Sequence, residues 1–71
     1  MNEYLVVVER SDGNFAAYLP DLPGCVVTGD TREETLTLMR EAIELHLMGL
    51  REDGIPIPAP TTSAEYLAVA I

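Results

Sequence analysis

Pro20-Asp21-Leu22-Pro23-Gly24-Cys25 is the stretch that decides the fold, and Gly29-Asp30-Thr31 follows it at the opening of a long helix. Two prolines three residues apart each hold φ at about −65° and remove a backbone donor, while Gly24 takes the positive φ that a tight turn requires. The segment therefore reads as a rigid surface turn joining two strands.

Upstream, Tyr4 to Glu9 is a run of aromatic and branched residues, with Tyr4, Val6 and Val8 on one face of a strand and Leu5 and Val7 on the other. Both faces are apolar. This predicts a central strand, covered by a helix on one side and by further material such as a second subunit on the other. Ser11-Asp12-Gly13-Asn14 signals a tight hairpin. Phe15 to Leu19 then returns antiparallel, and Cys25 to Thr28 makes a short third strand beyond the proline turn.

Thr31-Arg32-Glu33-Glu34 fits a capping box, with the Thr31 hydroxyl accepting from the Glu34 amide and the Glu34 carboxylate returning to the Thr31 amide. Asp30, Glu33 and Glu34 also set negative charge at the positive end of the helix dipole. At 100° per residue, Leu36, Met39, Ile43, Leu47 and Leu50 share one narrow arc that is expected to lie on the sheet. Arg40, Glu41, Glu44 and Arg51 fall on the far side. Leu38 and Leu45, with Ala42 and Gly49 nearby, form a second ridge that reads as a widened core face or an oligomer contact. Gly54 caps the helix and Pro56 prevents its resumption.

Ile55 to Pro60 alternates proline with Ile57 and Ala59, which predicts an extended, polyproline-like crossing. Tyr66 to Ile71 then reads as a short strand, laid parallel beside the first by a right-handed crossover. The expected fold is α+β, one domain over residues 1–71 in the order β-β-β-α-β. It is an antiparallel three-stranded meander packed on one long helix, with the last strand next to the first, a partial ribonuclease H-like topology.

Twelve acidic side chains against four arginines leave a net charge of −8 on the 71 residues, and Arg10, Arg32, Arg40 and Arg51 are scattered. Such a surface repels a phosphate backbone, so no direct DNA binding is expected and a basic protein is the better partner. A chain this short buries only about 60% of the surface its unfolded form exposes, which makes homo-oligomerisation, as a dimer or tetramer, a natural remedy. No signal peptide is visible and no apolar run approaches the ~20 residues of a membrane span, so a cytoplasmic location is expected, with no membrane association.

Little chemistry assembles from the residues. Cys25, the sole cysteine, forms no intrachain disulfide and has no neighbouring base to activate it, so it reads as a packed thiol. His46, the sole histidine, sits at the edge of the core-facing arc with no nucleophile placed beside it. Carboxylates are dispersed and no metal-ligand spacing emerges. A catalytic ribonuclease H-like core needs metal-binding carboxylates in the middle of its strands, where this chain has Val6, Val7 and Val8. No catalytic residue, cofactor or metal is assigned, and the chain is expected not to be an enzyme.

The succession of a strand, the Pro20 to Cys25 motif, a short strand, Gly29-Asp30-Thr31 and Glu34 in the first helical turn resembles the N-terminal domain of HicB-family antitoxins. The likeness runs from Tyr4 through Pro60 and includes Gly13, Ala42 and Gly54-Ile55-Pro56-Ile57-Pro58. It implies an oligomeric antitoxin that binds a small basic HicA-like toxin, a protein resembling a double-stranded-RNA-binding domain that cleaves mRNA with its own histidine. Inhibition would be steric and electrostatic. Many such antitoxins also carry a DNA-binding helix-turn-helix or ribbon-helix-helix segment, which these 71 residues do not contain.

Two alternatives stand beside this reading: an orphan homo-oligomeric HicB-like protein with a regulatory or scaffolding role, and a metal-dependent nuclease relying on Asp21 or Asp30. The expected partner-binding residues are Asp21 and Leu22 on the rigid turn, then Glu41 and Glu44 on the acidic helix face. Leu38 and Leu45 are the expected oligomer contacts.

Overall fold

The computed structural model describes residues 3–71. Three strands, β1 (Val7–Ser11), β2 (Asn14–Tyr18) and β3 (Val26–Gly29), precede one helix, α1 (Arg32–Glu52). The strands form an antiparallel sheet in the order β1-β2-β3. This is the expected meander followed by a long helix.

Register sorts the side chains onto two faces. Val8, Ala17 and Val27 stand opposite one another across the three strands, and all three pack in the core beneath the helix. One step along, Val7, Tyr18 and Val26 form the matching row on the other face, where Tyr18 and Val26 are exposed. The core proper consists of Ala17, Leu19, Leu22, Cys25 and Met39, flanked by Tyr4, Val6, Val8, Val27, Ile43 and Leu47. The helical arc read from the sequence thus faces the sheet through Met39, Ile43 and Leu47.

The first strand is displaced from its expected position. Pairing begins at Val7, opposite Tyr18, because the chain after Tyr18 turns away and Leu19 donates its amide to the Cys25 carbonyl at 3.2 Å. Tyr4, Leu5 and Val6 therefore lie outside the ladder. Nor is this strand central: β2 is, and β1 stands at the sheet edge.

Both helix ends are closed locally. The Glu34 amide donates to the Thr31 hydroxyl at 3.0 Å, whereas no carboxylate bond from Glu34 returns to the Thr31 amide, so half of the expected box forms. At the other end Gly54 takes φ 68°, its amide donates to the Arg51 carbonyl at 3.1 Å, and the Ile55 amide reaches the Leu50 carbonyl at 2.9 Å. This is a Schellman cap. Sheet and helix also meet very closely at Gly29, where a β-carbon would lie 2.6 Å from Thr35 Oγ1. Thr35 is fully buried there and donates its hydroxyl to the Thr31 carbonyl at 2.7 Å.

The expected final strand does not form. Residues 55–71 contain no regular element, and Tyr66 to Ile71 carry no ladder and stay exposed. Small Ala68 and Ala70 bury little area, and among the described residues nothing covers Leu67 or Val69. The tail lengthens the molecule: its radius of gyration is 14.1 Å, against about 11 Å for a compact chain of this size.

Candidate protein-binding surface

The proline turn is built around two neighbouring side chains that point in opposite senses. Amides of Leu22 and Cys25 donate to the carbonyls of Leu19 and Leu22 at 3.3 and 3.2 Å, and Gly24 takes φ 95°. These short-range bonds roll the loop inward, and Leu22 is fully buried among the core residues. Leu22, expected on the surface of the turn, therefore presents nothing to a partner in this structure.

Asp21 points the other way, and its carboxylate is already engaged. It accepts from the amides of Thr61 and Thr62 at 3.1 Å each, and from their hydroxyls at 3.1 and 2.7 Å. Bonding from the Thr62 hydroxyl is the largest influence and holds the Asp21 carboxyl below its ordinary range, against an opposing push from desolvation. Asp21, an expected partner-binding residue, tethers the segment that crosses behind the loop. Tyr4 adds to that tether through its hydroxyl, which donates to the Pro58 carbonyl.

The outer face of α1 is different. At 100° per residue Glu34, Glu41, Glu44, Leu45, Met48 and Glu52 fall within one arc opposite the core-facing arc. All six are exposed, Leu45 at 68% and Met48 at 55% of their full surface. Arg40 and Arg51 sit at or beyond the margins of this stripe, so its centre carries carboxylates and two large apolar side chains with no basic residue between them. A groove of about 270 Å³ lined by Glu44, Leu47, Met48 and Arg51 runs along its flank. Such a surface suits a cationic partner with an apolar patch. Of the expected ridge, Leu38 is half-buried and only Leu45 stands free.

Two of these features escaped the reading of the sequence. Met48 follows Leu45 and Glu44 by three and four positions, a spacing that placed it on the outer face. Thr61 and Thr62 gave no comparable signal, because a bond spanning 40 positions leaves no local pattern.

Other groups are placed without assembling a reaction centre. Cys25 is buried, and burial pushes its thiol up, away from the reactive thiolate. Asp30 is exposed at the start of the helix, while Asp21 spends its oxygens on threonines. Among the described residues no three His, Cys, Asp or Glu side chains gather as a metal site, and no helix is long and apolar enough to cross a membrane.

The sequence profile of the HicB_like antitoxin of bacterial toxin-antitoxin system matches residues 4–70. The chain belongs to the HicB-like antitoxin family. Its relatives include a UPF0150 protein of Synechocystis, 35% identical over 96% of this chain and 87% of its own length. Antitoxin HicB 2 of Photorhabdus laumondii is 36% identical over 87% of this chain and 45% of its own length. An uncharacterised 14.9 kDa protein of Haemophilus phage HP1 is 31% identical over 90% of this chain and 48% of its own length. The chain thus spans about half the length of two of these relatives and most of the third. Among solved structures, a chain of a HicA3 and HicB3 toxin-antitoxin complex superposes with a TM-score of 0.69 at 28% identity, covering 84% of this chain and 70% of that one. This chain therefore shares its fold with that solved structure over most of its length.

Proposed function

We infer that this HicB-like chain is an antitoxin that neutralises a small, basic, HicA-like mRNA-cleaving toxin by lying over its RNA-binding surface. The observation that carries the reading is the structural match to a chain of a HicA3 and HicB3 complex. The electrostatics favour the same partner: a net charge of −8, with Glu41, Glu44 and Glu52 aligned on one exposed face, attracts a protein whose own surface binds phosphate. No catalysis by this chain is required. Leu45 and Met48 are the apolar anchors at the centre of the stripe, Glu41 and Glu44 steer the approach, and Asp21 acts indirectly by holding the crossing segment in place.

The test is co-expression with the small basic protein from the adjacent reading frame, followed by growth rescue and pull-down. Rescue together with a complex that weakens as salt rises supports the reading. Growth arrest that this chain does not relieve overturns it. A second reading, an orphan oligomer without a toxin, is favoured by the Synechocystis UPF0150 relative, which is similar over most of its length and whose name carries no antitoxin assignment. The lack of any small basic protein encoded nearby would decide for it.

A further inference from the structure

The four arginines are scattered in sequence, yet the fold brings two of them to one cavity. Register places Arg10, Phe15 and Gly29 in one row across the three strands, two residues on from the row of Val8, Ala17 and Val27 that packs beneath the helix. Alternate residues share a face, so this row also looks toward the helix side. Gly29 adds no side chain to it, and the helix approaches there through Thr35. Where the helix begins, a cavity of about 270 Å³ is lined by Val6, Val8, Arg10, Phe15, Arg32 and Tyr66. Both guanidinium groups line it and, among the described residues, no carboxylate does. On a chain of net charge −8 this reverses the sign of the surrounding surface.

We propose that this cavity binds a purine nucleoside monophosphate, with the phosphate between Arg10 and Arg32 and the base against Phe15. The two guanidinium groups belong to different elements, β1 and α1, and reach an anion from two sides. That arrangement suits a tetrahedral phosphate better than a planar carboxylate, which a single arginine already matches. Both arginines are exposed, so the phosphate end faces solvent. Phe15 is half-buried and offers a ring, Val6 and Val8 supply an apolar floor, and Tyr66 stands at the outer rim. Stacking on such walls needs no hydrogen-bond pattern, so it tolerates any base and favours the larger purines.

Size and charge limit the ligand. A volume of about 270 Å³ lies just under the usual range for drug-sized ligands, which leaves room for one nucleotide and no more. A single phosphate group carries about −1.5 to −2 charges. An oligonucleotide adds a charge at every step and meets the repulsion of the whole acidic chain. The inference does not rest on the antitoxin reading. Arg32 precedes Glu41 on the helix by half a turn of the wheel, about 180°, so the cavity and the acidic stripe address different ligands.

The experiment titrates the full, isotopically labelled chain with adenosine 5′-monophosphate at low salt and follows backbone amides by NMR. Saturable shifts should centre on Val8, Arg10, Phe15 and Arg32. Inorganic phosphate and adenosine should each bind about tenfold more weakly, because each engages only one half of the site. Arg10→Gln and Arg32→Gln should each weaken nucleotide binding about fivefold or more, while Arg40→Gln, the same loss of charge elsewhere, should change it less than about twofold. Phe15→Leu should weaken the nucleotide and leave inorganic phosphate unchanged. Spectra that match wild type away from the cavity show that each variant is folded. The proposal is overturned by the absence of shifts up to about 10 mM nucleotide, by inorganic phosphate binding as tightly as the nucleotide, or by Arg10 and Arg32 variants no weaker than Arg40→Gln. It is equally overturned if a short 5′-phosphorylated oligonucleotide binds better than the mononucleotide, which would make this face a nucleic-acid surface.

Discussion

The carboxylate of Asp21 and the hydroxyl of Thr62, 41 positions apart in sequence, meet at 2.7 Å and fasten the tail of the chain to the loop that covers the core. Three further bonds from Thr61 and Thr62 converge on the same carboxylate. Because these bonds hold the folded carboxyl below its ordinary value of 3.8, the stability they confer is present above that pH and is lost as pH falls through the lower folded value. Asp21→Asn should speed amide exchange at Thr61 and Thr62 several-fold at neutral pH. Thermal melts of wild type and variant should converge in acid, once the pH falls below the lowered folded value of Asp21. A difference that stays constant into acid would show that the charge is not the source.

Leu22 gives a different expectation, since the side chain is wholly inside. Leu22→Ala should cost about 2–5 kcal/mol in urea unfolding, the range for emptying a core leucine site. In a domain this small that loss leaves a large unfolded fraction at room temperature. A cost under about 1 kcal/mol would place Leu22 on a surface that collapses freely.

Gly29→Ala sets a β-carbon 2.6 Å from Thr35 Oγ1, with the Thr35 backbone nitrogen and Cα at 3.1 and 3.2 Å. The expected cost is about 1–3 kcal/mol, as for other overpacked sites. Thr35→Ala removes the hydroxyl but leaves the backbone in place, so the double variant should recover only part of the loss. A double-mutant cycle by urea denaturation measures that coupling, and strict additivity would show that the two residues do not interfere.

On the outer helix face, if the proposed basic HicA-like partner binds there, Glu41→Lys/Glu44→Lys should slow its association about tenfold at low salt and flatten the salt dependence. Leu45→Asp should instead speed dissociation while changing chain stability by less than about 0.5 kcal/mol, because the side chain is exposed. Stopped-flow and equilibrium binding with the proposed HicA-like partner read both effects.

What the sequence by itself determined is local. Gly13, Gly24 and Gly54 stand at positive φ where turn chemistry required it, Thr31 caps the helix, and the arc of Met39, Ile43 and Leu47 lies on the sheet. Each of these rests on interactions within a few residues or on a periodic burial pattern, and such signals survive in the order of side chains. Tertiary structure alone decided that Leu22 turns inward, that Asp21 serves Thr61 and Thr62, and that Tyr66 to Ile71 pairs with no strand among the described residues. An irregular loop has no fixed alternation to aim its side chains. A strand becomes a strand only when an edge and a covering surface are present, and both are properties of the assembled molecule.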